Sequence, residues 1–245
     1  MADTDFLPQR EEFAQTDWFM VAAAANTAGV GPTAALQQLC RLYWYPLYAF
    51  VRRQGYRPED AQDLTQEFFA RIIAKNSISF ADRERGKFRT FLLTSLKHFL
   101  VNEWEKASAA KRGSGQVISW DQQSAEAQYL AEPRHDITPD KLYEQRWARA
   151  VLDHVCDRLR YEYAGAGKGL LFDKLKDVLF GEKSVAYEDI AASLGMSEGA
   201  IKVAVHHLRQ RFTEMLQSEV AQTVDNPLDV DDEVRYVLRV TQGAS

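Results

Sequence analysis

No part of this chain constrains its fold more than residues 187–212, YEDIAASLGMSEGAIKVAVHHLRQRF. Ile190 and Leu194 stand one turn apart, and Ile201, Val205, Leu208 and Phe212 follow at helical spacing, so two short helices share one buried seam. Ala191 falls where those helices must cross closely. Gly195 falls in the turn, where a residue without Cβ adopts positive φ at little cost. Ser197 occupies an N-cap position. With the seam inward, the second helix turns Glu198, Lys202, His206 and Arg209 outward at spacings of four, four and three, and Ser197 and Val203 complete the candidate contact set. This is the pattern of a helix-turn-helix whose second helix lies in a DNA major groove. A generic helical hairpin with a solvated charged face is the plainer alternative; the fixed offsets of Ala191, Gly195, Ser197 and Ile201 favour the first. Glu198 itself admits two roles, accepting from a cytosine amine or stabilising the helix dipole beside Ser197.

The formal charge of −5 over 245 residues argues against a nucleic-acid binder only if it is evenly spread, and it is not. Between residues 82 and 112 there are eight bases against four acids, whereas from residue 214 onward there are seven acids against Arg235 and Arg239. The acidity sits mainly in the tail. Cys40 and Cys156 are too few and too far apart for a disulfide framework or a zinc cluster, and each reads as a small core residue in a reducing compartment. The five histidines include no His-x-x-x-His pair. The start, MADTDFLPQREEF, is acidic and polar, and residues 18–25 are far short of the ~20 a membrane span needs, so a cytoplasmic protein without a membrane segment is expected. No cofactor or metal is expected.

Residues 16–25 and 32–53 carry helical apolar spacing, broken between Gly29 and Pro32, with Leu36, Leu39, Cys40, Tyr43, Leu47, Phe50 and Val51 on one broad face. The aromatic density of residues 42–50 fits a core stripe, with a nucleobase platform as the alternative. After Gly55, Pro58 opens a helix, PEDAQDLTQEFFARII, whose inward face takes Ala61, Leu64, Phe68, Ile72 and Phe69 while Asp60, Asp63, Gln66 and Glu67 lie outward. Residues 75–87 form a polar loop. Residues 88–107 form a helix in which Arg89, Lys97, His98 and Trp104 combine bases with an aromatic, the pairing that single-stranded nucleic acid exploits. Residues 107–133 read as a linker with the breaker pair Gly113 and Gly115. Thr138 and Pro139 then cap and open an amphipathic helix, residues 142–163, and a short helix at 170–180 precedes the helix-turn-helix. A last helix is expected over residues 228–240, with Val230, Val234, Val237 and Leu238 in one stripe; on the protein's own surface its acids would mimic phosphate near a DNA-binding face, or it would simply cover core.

Read together, the acidic helix containing Asp60-Ala61-Gln62-Asp63-Leu64-Thr65-Gln66-Glu67-Phe68-Phe69 and the helix-turn-helix at 187–212 resemble a bacterial RNA polymerase sigma factor of the extracytoplasmic-function (ECF) type in the sigma-70 family. The resemblance implies an all-α fold of two small helical domains joined by a flexible linker: a region 2-like domain at 1–107, the linker at 108–137, a region 4-like domain at 138–216 and an acidic extension at 217–245. It implies that Asp60, Asp63, Gln66, Glu67 and Phe68 bind core RNA polymerase. Arg83, Arg85, Lys87, Phe88, Arg89, Lys97, His98 and Trp104 would bind and melt the minus-10 element, and Ser197, Glu198, Lys202, Val203, His206 and Arg209 would read the minus-35 element. The implied partners are core polymerase, promoter DNA and an anti-sigma factor or other regulator. Three features depart from the family pattern: His98 where many members carry Asn, Glu105-Lys106 in place of a basic pair, and a lengthened stretch at 165–184. The alternative function is a stand-alone helix-turn-helix regulator with a helical sensing domain, which would not need the acidic face of Asp60 to Glu67. An enzyme is not expected, because no phosphate loop, nucleophile elbow or metal spacing is present.

Overall fold

A computed structural model describes residues 34–74, 87–109, 122–131, 137–179, 187–224 and 226–241. In chain order the helices are α1 (Ala34–Arg53), α2 (Pro58–Ala74), α3 (Phe88–Ala109), α4 (Gln122–Leu130), α5 (Pro139–Gly165), α6 (Gly169–Leu175), α7 (Tyr187–Leu194), α8 (Glu198–Ala221) and α9 (Val230–Thr241). Short 3-10 turns stand at Lys176–Val178 and Pro227–Asp229. Among the described residues there is no strand, so the fold is all-α. The expected helix at 16–25, the loop bases Arg83 and Arg85, the Gly113 and Gly115 breakers and the side chain of Cys40 lie outside the described residues.

The aromatic run of α1 is core. Tyr43, Trp44, Leu47, Tyr48, Phe50 and Val51 are all buried, which takes away the stacking-platform alternative. Gly55, at φ +96, ends the α1 connection in a conformation that only glycine adopts freely, and Pro58 opens α2 ahead of Glu59 and Asp60. Thr138 caps α5 as expected, its hydroxyl accepting from the Lys141 amide at 3.3 Å, with Pro139 at the first helical position.

The organising element is α5. Its buried face, Leu142, Tyr143, Trp147, Ala148, Val151, Leu152, Val155 and Leu159, lies along α1 in the most extensive helix pairing of the fold, and α8 and α9 pack against the same helix. The apolar residues of α1–α3 and those of α5–α9 consequently form one continuous core. The helices expected to make two modules thus share buried surface in this arrangement.

Within the expected linker, residues 122–130 are the helix α4. Its sequence, QQSAEAQYL, has no apolar stripe at helical period, and long-range contacts hold it instead. The Glu126 carboxylate accepts from Arg52 Nε at 2.9 Å and Nη2 at 2.7 Å, and from the Tyr48 hydroxyl, while the Arg52 guanidinium lies 4.7 Å from the Tyr129 ring. The Arg52 donors hold the Glu126 carboxyl below the usual carboxylate range, with burial opposing them. Because the folded value is depressed, this stabilisation is complete above the ordinary glutamate pKa of about 4.3 and is lost as pH falls through the folded value. Glu126→Gln should therefore destabilise the protein by about 1–3 kcal/mol at neutral pH. In denaturant titrations the gap to the native sequence should close below about pH 4; a gap independent of pH would contradict this account.

Candidate nucleic-acid and polymerase interfaces

The helix-turn-helix forms as its spacing requires. Ile190 and Ala191 of α7 and Ile201, Val205, Leu208 and Phe212 of α8 are buried along one seam, with Leu194 half-buried at its edge. Gly195 takes φ +63, and the Met196 amide donates to the Ala191 carbonyl at 3.0 Å to close the turn. Ser197 is extended, and its hydroxyl accepts from the Ala200 amide at 3.2 Å.

Lys202, Val203 and His206 stand exposed on the outward face of α8. Glu198 lies in the first turn and pairs with Lys202 at 2.7 Å, which raises the lysine's pKa above its ordinary value. An approaching phosphate must displace that carboxylate. Arg209 differs from its neighbours, because its Nη2 donates to the Val178 carbonyl at 3.2 Å and ties the end of this face to the segment before α7.

On α2, Asp60, Asp63 and Glu67 are exposed, and they form an acidic outward stripe. Arg71 pairs with Glu67 and bridges to Glu103 of α3 at 2.7 Å. Gln66, expected outward, lies on the buried side of this helix, whereas Phe68 lies inward as its spacing predicts, so the polymerase contact that the resemblance implies for it is not an exposed one. Gln66 is 6% exposed and Phe68 2%. The buried arc of α2 takes in Ala61, Thr65, Phe68, Phe69 and Ile72, and Gln66 falls inside it beside Thr65 and one turn before Phe69. Phe68 packs against Phe69 and Phe99, with ring centroids 6.1 and 5.7 Å away, so it supports the acidic face from beneath.

The candidate minus-10 residues divide into two groups. Lys97 and His98 are exposed on α3, and Trp104 is 68% exposed beside an apolar cleft lined by Phe50, Tyr56, Leu100 and the Lys97 stem. Lys97 also pairs with Asp140 at the start of α5. At the other end of α3 the residues are covered. Phe88, for which stacking on a base and burial were the two alternatives, is a core residue, its ring 5.3 Å edge-on from Tyr43 and 6.1 Å from Phe91.

Arg89, expected among the bases that meet the strand, is likewise buried. Its guanidinium lies between the rings of Trp147 (4.5 Å) and Tyr236 (4.4 Å), and its Nε donates to Glu144 at 2.7 Å. The fully buried Glu233 of α9 pairs with both Arg89 and Lys87. The Tyr236 hydroxyl donates to the same Glu144 oxygen at 2.8 Å. Burial lowers the pKa of Lys87 below its ordinary value. The sequence reading did not find Glu144 and Tyr236, and it counted Glu233 only as one of the tail's acids. A signal for Glu233 was available: a carboxylate directly beside Val234 and one turn before Val237 sits within the apolar stripe of the tail.

Among the described residues no group of three or more His, Cys, Asp or Glu side chains is placed to hold a metal ion, and no helix is long and apolar enough to cross a membrane. Cys156 is a free thiol whose pKa burial pushes up to about 11, well away from a reactive thiolate.

The geometry is that of an all-α protein with an exposed helix-turn-helix face and a separate acidic helix face. Comparison with known proteins adds the family. The family model for Sigma-70 region 2 matches residues 41–110. The ECF RNA polymerase sigma factor SigE of Mycolicibacterium smegmatis is 24% identical over 223 residues, covering 88% of this chain and 77% of that protein. No solved structure matches. Residues 41–110 thus match sigma-70 region 2, and the chain over most of its length is similar to an ECF-type sigma factor.

Two variants check the helix-turn-helix. An added Cβ at Gly195 meets nothing within 4 Å, so Gly195→Ala carries only the backbone cost of positive φ, about 1–2 kcal/mol, read as a lowered melting temperature. If Lys202 meets a phosphate, Lys202→Ala should reduce the salt dependence of duplex binding, the slope of log K against log salt, by about one. An unchanged slope with unchanged affinity would remove Lys202 from the interface.

Proposed function

We propose that the chain binds core RNA polymerase and directs it to promoters, with region 2 and the helix-turn-helix engaging two separate DNA elements. The observation that carries this reading is the joint presence, in one chain, of a sigma-70 region 2 match over residues 41–110 and an exposed helix-turn-helix face more than seventy residues downstream, at 198–209. A regulator acting without polymerase requires only the second. In functional terms the chain divides into a region 2-like part at 1–107, a joining segment at 108–137, a region 4-like part at 138–216 and the tail at 217–245.

Each interface has a physical basis. The exposed carboxylates Asp60, Asp63 and Glu67 suit a basic helical surface on polymerase, and Gln66 and Phe68 stiffen that face from inside. Lys202, Val203 and His206 present a cation, a methyl surface and a switchable donor or acceptor to a major groove. Lys97, His98 and Trp104 offer cation and aromatic together to an unpaired strand, where stacking recovers about 1–3 kcal/mol per base. The minus-10 role of Arg83 and Arg85 rests on the family resemblance alone. Promoter opening by such a chain involves no bond chemistry of its own, and the reading is therefore non-enzymatic. Its partners lie in the cytoplasm, and an anti-sigma factor is a further candidate among them.

Reversing Asp63 and Glu67 to Lys together tests the polymerase interface. The double variant should lose co-purification with core polymerase while keeping its helical circular dichroism, because Arg71 retains Glu103 and the buried arc of α2 is untouched. A double variant that still co-purifies would move the interface elsewhere.

A further inference from the structure

We propose that α9 is an intramolecular competitor of the DNA strand, with the Glu233 carboxylate occupying the site on Lys87 and Arg89 that a backbone phosphate would otherwise take. The inference rests on the proposed function for one step only, that the bases opening α3 face DNA. Glu233 is 0% exposed, lies in the middle of the tail's apolar stripe, and pairs with both bases. Tyr236, one turn on, covers the outer face of Arg89 and reaches Glu144. Val234 and Val237 seat the helix, and Gln217 of α8 donates to Asp231 at 3.2 Å at its start. One short helix thus closes Arg89, its side chain 6% exposed, to any other anion and occupies Lys87, whose side chain stays 39% exposed.

Two physical points distinguish a competitor from a helix that only covers core. A buried ion pair seldom stabilises a fold better than apolar side chains of the same volume, so a packing helix has no need of a glutamate at this position. A helix of twelve residues is also marginal in water on its own, so α9 docks or leaves as a unit, and what weakens the Glu233 contact releases the whole helix. Arg89, enclosed by Glu233, Glu144 and two rings, cannot meet a phosphate while α9 is docked, and Lys87 must share its ammonium with Glu233 to do so. Strand binding and tail docking must therefore oppose each other by equal amounts in both directions. Glu144 stays with Arg89 when α9 departs, keeping the guanidinium placed against Trp147.

The test uses the full-length protein and a short fluorescein-labelled oligothymidylate, followed by anisotropy across a salt series. Glu233→Gln should bind the oligonucleotide severalfold more tightly than the native sequence, with a salt slope steeper by about 0.7 for each base released. Truncation after Gln222 should do the same, and it serves if the glutamine leaves the helix docked. Adding Lys87→Gln to Glu233→Gln should return affinity to the native level. Tighter binding in either variant, abolished by Lys87→Gln, supports the proposal. Unchanged or weaker binding in both, or tighter binding that survives Lys87→Gln, overturns it. Co-purification with core polymerase is measured on the same preparations: native protein that co-purifies while its tail variants bind the strand unchanged would reject the competitor and leave the sigma role standing.

Discussion

The pairing of α5 with α1 is the constraint from which the rest of this structure follows. A 27-residue helix with Tyr143, Trp147, Val151, Leu152, Val155 and Leu159 on one side must bury that face, and α1, crowded with aromatics, is the surface that receives it. Once the two are joined, α2 packs on α1 and α3 on α2, while α8 and α9 pack on α5. The two faces that look functional, the acidic outward stripe of α2 and the outward face of α8, are then the surfaces the core does not use. The Arg89 cluster lies at the edge of this pairing, where the start of α3, the start of α5 and the tail helix converge on Glu144 and Trp147.

Local pattern carried much of the fold. The seam of α7 and α8, the Gly195 turn, the Ser197 and Thr138 caps, Pro58 and Pro139 at helix starts, and the tail stripe were all readable, because each is decided by residues within a turn or two of one another. What could not be read depends on distant partners. The α4 helix has no apolar period, and it is held by Arg52 and Tyr48 from more than seventy residues away. Gln66 was placed on the wrong side because the buried arc of α2 is wider than a single stripe, a width set by the neighbouring α1 and α3 rather than by α2. Phe88 and Arg89 looked like nucleic-acid ligands by type. Their burial follows from Tyr43, Trp147 and the tail, which no window around residue 88 contains.

Charge in this molecule is neutralised unevenly. Lys202 on the recognition face has only an exposed, i,i+4 partner, a contact worth little in water and easily exchanged for phosphate. Lys87 and Arg89 meet a wholly buried carboxylate, and exchanging that partner requires a helix to leave. The acids of α2 stay largely open, Glu67 being the one paired among the described residues, with Arg71. The three surfaces therefore differ in access: the acidic face of α2 and the outward face of α8 are open as folded, and Arg89 at the start of α3 is covered.

Transcription initiation with defined components tests the central claim most directly. Sigma-free core polymerase and the purified chain are combined on fragmented genomic DNA, and the 5′ ends of the transcripts are sequenced. A sigma factor predicts transcripts that begin at discrete positions behind two shared upstream elements at constant spacing. Transcripts no different from those made by core polymerase alone would contradict it.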